Sequence, residues 1–394
     1  MNSTFTFDDE YDNETNLTDS CSPPTLVHNP SVQVLLGVVY SLVFLTAISG
    51  NSLVIYVVST NRDMQTVTNL FITNLAFSDL LMNCTSLWLT PVYTYLGRWV
   101  WGQAMCHGLP LGQGASIFIS TLTLTAIAID RFTVILYPFR SRISVQVCIT
   151  IIVSIWMLSI LLVMPYAIHM QLVWSTRCSV FICTERWAWE QLRLIYGTIV
   201  LVLQFVVPFV VVGFCYARIW YFMEHRRSMV TNRNTDAELQ RKRRMNKMLV
   251  SMVVIFAVCW LPWNALNIIR DLGFSRLMNK LFSFLYLLSH SIAMTATCWN
   301  PILYAWMNDN FRREFKAALP CFPDTARARA ASMASARMRS LRRAPQPDFD
   351  GNENISPTSA QTETNALLPE DNGMLLLSNG LTVQLKPQTV ETSL

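Results

Sequence analysis

Seven long apolar runs constrain what this chain can fold into more than any other feature of it. Each run is long enough to cross the roughly 30 Å hydrocarbon core of a bilayer as a helix, and a helix satisfies the backbone polar groups that hydrocarbon cannot. Only 14% of the 394 residues are charged, compared with about 25% in soluble domains. The sequence therefore predicts an all-α membrane protein, a bundle of seven transmembrane helices within residues 32–306. The runs lie at about 32–59, 67–95, 103–136, 145–168, 192–223, 243–270 and 279–306.

The distribution of charge predicts how the bundle is oriented. Residues 1–31 contain acidic side chains but no Lys or Arg, whereas nine basic residues lie within 218–247. Because basic residues concentrate on the cytoplasmic side, we expect a multi-pass plasma-membrane protein with its amino terminus outside and its carboxyl terminus inside. No basic segment followed by an apolar one begins the chain, so we expect no cleavable signal peptide. The outer tail carries N-x-[ST] sequons, expected to be glycosylated, at Asn2, Asn13 and Asn16.

The segment after the seventh run, residues 307–321, predicts a short amphipathic eighth helix. In DNFRREFKAAL, the residues Phe311, Phe315 and Leu319 recur at steps of four and share one face, while basic residues occupy the rest. Such a helix is expected to lie on the inner membrane surface, in contact with lipid. Cys321 follows at once and is a candidate for palmitoylation, with a free cytosolic thiol as the alternative.

Residues 322–394 are rich in Ser, Thr, Arg, Ala and Pro, a composition that predicts a disordered cytoplasmic tail. The chain ends with Thr392, Ser393 and Leu394. These residues could add a strand to a PDZ-type groove and offer it a terminal carboxylate. An inert terminus is an equally good interpretation.

Ionisable side chains inside a membrane helix are costly, so each one is a functional-site candidate. Only a few lie deep within the predicted helices: Asp79 in the middle of helix two, Asp130 and Arg131 at the inner end of helix three, and His290 in the outer half of helix seven. A catalytic or proton-pumping relay needs ionisable groups closer together. A bundle that only links an outer binding site to an inner partner needs no such relay, so these few ionisable residues are enough for it.

Two helical faces connect the outer end of the bundle with its interior. On helix three, Gln113, Ser120 and Arg131 lie on one face, because alternating steps of three and four return to the same side of a helix. Pro262 on helix six lacks a backbone N–H and is expected to kink that helix. On helix six, steps of four, three and four place four residues on one face: Trp260, Asn264, Asn267 and Asp271.

Asp271 ends the sixth run, in NIIRDLGF, and its carboxylate has two interpretations. It is a fixed anion for a cationic ligand, or it is a solvated helix end paired with the adjacent Arg270. Consecutive helical residues point about 100° apart and do not face each other. This favours the ligand-binding interpretation and leaves Arg270 as a neighbour in sequence only.

Short motifs, one on each helix or close to it, carry a family resemblance. Together they resemble the rhodopsin-like G-protein-coupled receptors over residues 32–319. The resemblance implies a receptor without enzymatic activity, which activates a heterotrimeric G protein. The motifs are GNSLV (50–54), NLAFSDLL (74–81), Trp99, Cys106, DRF (130–132), Trp156, Pro208 with Tyr216, CWLP (259–262) and NPILY (300–304).

The resemblance also implies roles for residues inside the bundle. Asp79, Ser120 and Asn300 would line a pocket for an allosteric sodium ion, although Ala296 replaces a polar residue often found there. Lys242 stands where many members carry an acid that pairs with the helix-three arginine, so Arg131 is expected to rely on Asp130 alone. The implied activation switches are Asp130, Arg131, Tyr216, Trp260, Pro262, Asn300, Pro301 and Tyr304.

The resemblance further implies a disulfide between Cys106 and the second outer loop. That loop offers Cys178 and Cys183, and the context ICTERW is similar to that of the family's partner cysteine, which favours Cys183. A second disulfide between Cys21 and Cys178 would then be possible, and two unpaired thiols are the alternative.

The outer pocket is similar to that of neuropeptide Y receptors and invertebrate neuropeptide F receptors. The similarity implies an amidated peptide ligand that ends in Arg-Phe-amide or Arg-Tyr-amide, with Asp271 and Asn267 binding its arginine. Gln113 stands where amine receptors carry an aspartate, and residues 281–306 contain no lysine for a retinal Schiff base. The implied ligand-binding residues are Thr90, Gln113, Gln204, Asn267, Asp271 and His290.

The partners implied are a G protein of the inhibitory class, arrestin and receptor kinases at the tail, and membrane lipid, with no nucleic acid. Receptors for tachykinin-like or short RF-amide peptides are the nearest alternatives. A seven-helix transporter is a more distant one, because the two halves of the chain show no similarity to each other.

Overall fold

The structure is a computed structural model that describes residues 26–176, 178–227, 233–273 and 279–319. Several predictions fall outside these residues. They are the glycosylation sites Asn2, Asn13 and Asn16, the thiols Cys21 and Cys321, the cytoplasmic tail 322–394 and its terminal residues Thr392, Ser393 and Leu394.

The described residues form seven helices long and apolar enough to cross a membrane, followed by a short helix, and the predicted fold class is confirmed. The helical segments begin and end within a few residues of the predicted runs, apart from α6, which extends further at its inner end. They are α1 Pro30–Thr60, α2 Val67–Leu96, α3 Gly102–Leu136, α4 Val145–His169, α5 (Glu190–Leu201, a π-helical turn Val202–Val206, and Val207–Arg227), α6 Arg233–Asp271, α7 Asn279–Met307 and α8 Asp309–Ala318.

Capping residues set several of these helix ends. The Asn29 side chain accepts a hydrogen bond from the Ser31 backbone N–H, and Pro30 fills the first helical position of α1, where a missing N–H costs nothing. Thr66 caps α2 in the same way. Gly97 ends α2 with a left-handed φ of 61°, a conformation that glycine adopts without steric cost.

The outer connection between α4 and α5 contains a β-hairpin that the sequence analysis did not predict. Strands β1 (Met170–Ser175) and β2 (Val180–Glu185) pair antiparallel, with Leu172 opposite Cys183. The disulfide between Cys106 and Cys183 is present and joins β2 to α3. Cys178, in the hairpin turn, is also disulfide-bonded. The hairpin is therefore fixed over the outer end of the bundle.

Helices α1 and α7 pack closely at the proline of the NPILY motif. Pro301 has no N–H, so the Thr297 carbonyl one turn earlier loses its helical partner. The Asn51 side-chain amide donates to that carbonyl across 3.0 Å. A Cβ on Gly50 would lie 2.8 Å from the Pro301 Cβ, so only glycine permits this approach. Residues of the GNSLV motif thus satisfy the carbonyl that Pro301 leaves free in α7.

Helix α8 buries its aromatic face against the bundle. Phe311 and Phe315 are buried, and the Phe311 ring stacks on Tyr304 with 5.2 Å between centroids. Glu314 is also buried, and its carboxylate accepts a hydrogen bond of 3.0 Å from Asn61. The prediction that these phenylalanines share an apolar face with Leu319 is wrong in part, because the helix ends at Ala318 and Leu319 is exposed. The phenylalanines are used for packing against protein.

Candidate functional site

The outer end of α6 carries the carboxylate of Asp271 in a cluster of three charged side chains. An anion at the C-terminal end of a helix is disfavoured by the helix dipole, so this carboxylate needs cationic partners. Arg193, from the outer part of α5, places Nη1 3.0 Å from the Asp271 Oδ1. Arg270 places Nε and Nη2 3.2 Å from the same oxygen. The three side chains are between 23% and 38% exposed, so the cluster is accessible to solvent.

This cluster corrects the expectation for Arg270, which is a partner of Asp271. Consecutive side chains leave a helix in directions about 100° apart, but the long, flexible Arg270 side chain folds back along the helix end and reaches Asp271. Arg193 was missed altogether, because it lies on a different helix and sequence spacing does not reveal contacts between helices. Its signal was a lone basic residue at the outer start of α5, in EQLRL.

His290 forms a second polar group between α1, α2 and α7. Its Nδ1 lies 2.9 Å from the Tyr40 hydroxyl, and its Nε2 lies 3.1 Å from the Ser86 hydroxyl. Tyr40 donates to the Leu287 carbonyl, and Ser86 lies 3.3 Å from the Thr90 hydroxyl. A neutral imidazole with its proton on Nδ1 satisfies all these groups: it donates to Tyr40 and accepts from Ser86.

The structure thus brings the predicted ligand residues Thr90 and His290 together through Ser86. His290 is fully buried and Thr90 nearly so. The Trp263 ring lies 5.1 Å from the imidazole between ring centroids. In this arrangement the imidazole nitrogens bond to other side chains of the bundle. Tyr40 and Ser86 were not predicted, because they contact His290 from other helices and no quoted motif includes them.

A third polar group involves α3 and α5. Gln204 lies in the π-helical turn of α5, is buried, and donates through Nε2 to the Gly114 carbonyl across 3.4 Å. Gln113, the residue before Gly114, is half-buried. A π-helical turn is an uncommon deformation that occurs often at functional sites. It was not predicted, because nothing in the hydrophobic pattern distinguishes it from an ordinary helical turn.

The same turn contacts the centre of α6. Phe205 follows Gln204, and its ring centroid lies 6.4 Å from that of Trp260, which also packs on Phe256. Asn264 donates to the Trp260 carbonyl across 2.9 Å. Trp260 is buried, and among the described residues its indole N–H has no hydrogen-bond partner. A buried ring with an unsatisfied donor, beside the helix break at Pro262, can gain a hydrogen bond in another packing.

Asn267 is half-buried and lies one helical turn below Asp271. Residues four apart share a helix face, so both predicted arginine-binding residues lie on one side of α6. Of the six predicted ligand residues, Thr90 and His290 are connected through Ser86. Gln204 bonds to the backbone of the residue after Gln113, and Asn267 shares a helix face with Asp271.

The predicted sodium residues lie in the interior. Asn300 donates to the buried Asp79 carboxylate across 2.8 Å. The Ser120 hydroxyl lies 3.0 Å from that of Ser78, which donates to the Ser116 carbonyl. Carboxylate and hydroxyl oxygens are ligands that suit a hard cation, so these residues fit the ion chemically. Two of the three are in direct contact with each other.

At the inner end of α3, Arg131 forms a compact cluster with Asp130 and Thr68. The Arg131 Nε lies 3.1 Å from the Asp130 Oδ2. Thr68 accepts from the Arg131 guanidinium and donates to the Asp130 carboxylate. The expectation that Arg131 relies on Asp130 alone is wrong, because α2 supplies a third member. Thr68 carried no motif that would have identified it.

The inner part of α6 also contacts its neighbours through arginine side chains. Arg243 donates to the Met223 carbonyl at 2.8 Å and to Glu224 on α5 at 3.2 Å. Arg244 pairs with Asp309 at the start of α8 and donates to the Trp306 carbonyl at 3.1 Å. The inner end of α6 is therefore connected to α5, α7 and α8.

Tyr216 and Tyr304, two further predicted switches, are both buried. Within the part of the chain that the structure describes, the Tyr304 hydroxyl has no hydrogen-bond partner. It shares this property with the Trp260 indole. Two of the residues predicted to rearrange thus hold polar atoms that this packing leaves unsatisfied.

Comparison with known proteins gives a consistent result. The family model of the 7 transmembrane receptor (rhodopsin family) matches residues 50–304. Neuropeptide Y receptor type 2 from Mus musculus and from Homo sapiens is 39% identical over 297 residues, which cover 74% of this chain and 77% of each relative. The receptor of the same name from Gallus gallus is 37% identical over 335 residues, covering 83% of this chain and 86% of the relative.

Proposed function

The chain belongs to the rhodopsin family of seven-transmembrane receptors, and we propose that its ligand is an amidated neuropeptide of the neuropeptide F/Y type. Such a peptide ends in Arg-Phe-amide or Arg-Tyr-amide. The receptor would signal through heterotrimeric G proteins, with the inhibitory class as the proposed subtype. As a member of a receptor family, the chain is a multi-pass plasma-membrane protein and not an enzyme.

The observation that carries this proposal is that the Asp271 carboxylate already binds guanidinium groups. Both of its partners are arginines, and the cluster is partly exposed at the outer end of the bundle. Arginine matches a carboxylate geometrically, because its planar fork can donate two parallel hydrogen bonds. A peptide arginine therefore finds here a site whose chemistry and shape suit it.

The remaining polar groups suit the amidated end of such a peptide. An amide both donates and accepts hydrogen bonds, and so does the side chain of glutamine. We assign Gln113, Thr90 and His290 to the region of the terminal amide. Gln204 would add a hydrogen bond deeper in the pocket, and Asn267 would support the arginine below Asp271.

The signal would pass from α5 to α6 through the π-helical turn. Contact between the peptide and Gln204 displaces Phe205, the next residue, which packs on Trp260. Rearrangement of Trp260 beside Pro262 then changes the bend of α6 and releases its inner contacts. The peptide acts by population shift, because it must bind the open packing more tightly than the closed one.

We propose that a sodium ion acts as an allosteric ligand of the closed packing. Asp79, Ser120 and Asn300 would hold it, and a bound cation would offset the charge of the buried Asp79 carboxylate. Asp79→Asn is expected to abolish the dependence of peptide affinity on sodium concentration, measured with potassium as the replacement ion. Equal sodium dependence in the variant would exclude this site.

The orientation and modifications follow the same proposal. The amino terminus lies outside with glycans on Asn2, Asn13 and Asn16, and the carboxyl terminus lies inside with palmitate on Cys321. Receptor kinases, arrestin and a PDZ protein would bind the cytoplasmic tail, and lipid would surround the bundle.

The test of the ligand uses a panel of amidated peptides on cells that express the receptor, with inhibition of cyclic AMP and G-protein activation as readouts. Each active peptide is paired with a version in which citrulline replaces the arginine. The bound peptide would cover Asp271 and desolvate its pair with the peptide arginine, and loss of a partner in a desolvated ion pair costs about 2–5 kcal/mol. Asp271→Asn should therefore weaken the arginine form by about 30-fold or more. It should also abolish the preference for arginine over citrulline.

Surface expression and a peptide-independent readout serve as controls. Glu185→Gln is the matched control variant, because Glu185 lies at the same end of the bundle and its carboxylate accepts a hydrogen bond from Trp187 instead of an arginine. It should leave the arginine preference nearly unchanged. An undiminished preference for arginine in Asp271→Asn would exclude Asp271 as the arginine site. If only tachykinin-like peptides activate the receptor, the proposed neuropeptide F/Y-type ligand is wrong.

A further inference from the structure

Arg193 occupies a position that the proposed function does not use. It lies near the start of α5 and crosses to α6, where its guanidinium meets the Asp271 carboxylate at 3.0 Å. It has a second acidic neighbour, Glu190, whose Oε1 lies 3.8 Å away on the same helix face. No motif and no part of the proposed peptide site includes Arg193.

The two arginines of the cluster differ in how they are held. Both approach the same oxygen, Oδ1 of Asp271. Arg270 is the residue before Asp271, so it remains beside the carboxylate whatever the helices do. Arg193 comes from another helix and has Glu190 as an alternative partner. A third guanidinium that enters this site would therefore displace Arg193 rather than Arg270.

We propose that Arg193 competes with the arginine of the peptide for the Asp271 carboxylate. It thereby sets how strongly the receptor prefers an arginine peptide over the citrulline form. In the ligand-free receptor it holds Asp271, and on binding it moves to Glu190 while the peptide arginine takes its place. This inference rests on the proposed function, since it needs a ligand that carries a guanidinium. A receptor in which Arg193 holds the Asp271 carboxylate cannot bind the peptide arginine there. The apparent affinity for the peptide is therefore the intrinsic affinity multiplied by the fraction of receptors in which the carboxylate is free.

The first experiment measures binding of an amidated Arg-Phe or Arg-Tyr peptide and of its citrulline form to the full-length receptor. Arg193→Gln should raise the affinity of the arginine form by about two- to fivefold, the range expected for loss of a partly exposed ion pair. It should leave the citrulline form unchanged. Arg270→Gln, which removes the same charge from the same carboxylate, should raise the affinity less.

The background Asp271→Asn separates this inference from the proposed function. There, Arg193→Gln should have no effect on either peptide, because the group for which it competes is gone. If Asp271→Asn keeps the arginine preference, the proposed function fails. If the preference is lost but Arg193→Gln leaves the affinity of the arginine form unchanged or lowers it, only the competitor is excluded. An equal gain for arginine and citrulline peptides also excludes it.

A second experiment needs no peptide. In purified ligand-free receptor, Arg193→Gln should lower the melting temperature by about 1–3 °C, the shift that corresponds to a partly exposed pair in a domain of this size. The same change should have no effect in the Asp271→Asn background. Equal shifts in both backgrounds would show that the pair does not form in solution, and the proposal would be overturned.

Discussion

The outer and inner ends of the bundle each contain a cluster of arginine and aspartate, and the two clusters are built differently. At the outer end, Asp271 is shared by arginines from α5 and α6, and the side chains of all three are 23–38% exposed. At the inner end, Arg131 has one carboxylate, Asp130, and a hydroxyl from α2, and the exposed fractions of the two charged side chains are 14% and 4%.

The difference in burial determines what each cluster can do. A partly exposed pair contributes about 0–1 kcal/mol, because water screens it and can replace either partner. Breaking a buried pair by removing one partner costs about 3–5 kcal/mol, because a charge is left without compensation. The outer cluster can therefore exchange one cation for another, whereas the inner cluster has to rearrange with its partners.

The largest effect is expected when the inner cluster is broken. Asp130→Asn leaves the Arg131 guanidinium, which also binds Thr68 on α2, without its carboxylate. The proposed closed packing should therefore be destabilised by about 3–5 kcal/mol. Ligand-independent nucleotide exchange on the G protein should rise, and the melting temperature of the ligand-free receptor should fall. Unchanged basal exchange at normal surface expression would show that the cluster does not restrain the closed packing.

A smaller effect is expected from Thr68, the third member of the inner cluster. Thr68→Val keeps the shape of the side chain but removes a hydroxyl that bonds to both charged groups. The cost should be about 1.5–3 kcal/mol, the contribution of a hydrogen bond to a charged group, and basal exchange should rise less than in Asp130→Asn. Thr73→Val, on the same helix, removes only a bond to a backbone carbonyl and is the matched control.

The smallest effect is expected from the exposed ion pair of Arg244 and Asp309, whose side chains are 45% and 51% exposed. Asp309→Asn should change stability by about 0–1 kcal/mol at low salt, and the change should decrease as salt is added. Thermal melting over a salt series measures this. A large loss of stability that does not depend on salt concentration would mean that this contact resembles the buried inner cluster rather than the outer one.

The sequence predicted the helices well and the polar contacts poorly, for a physical reason. Hydrophobic runs are local, and a bilayer requires each to be helical, so the helix positions followed from the runs. The partners that were missed lie on other helices, where spacing along the chain carries no information. They are Arg193 for Asp271, Tyr40 and Ser86 for His290, and Thr68 for Arg131. The expectation for Arg270 failed for a different reason, because a helical projection ignores the length of the side chain.

The packing of α1 against the proline of α7 has a mechanical consequence. Helix α7 is continuous from Asn279 to Met307 with Pro301 inside it. Because Asn51 binds the carbonyl freed by Pro301, and Gly50 lies against the proline ring, any bend at Pro301 has a fixed pivot. The six residues from there to Met307 form a lever of about 9 Å, so a change of roughly 10° in the bend moves its tip by only about 1.5 Å. Tyr304 stacks on Phe311, so α8 turns with the lever. Motion at this corner of the bundle is therefore a small rotation, whereas α6, whose Pro262 lies much further from its inner end, can sweep through a wide arc.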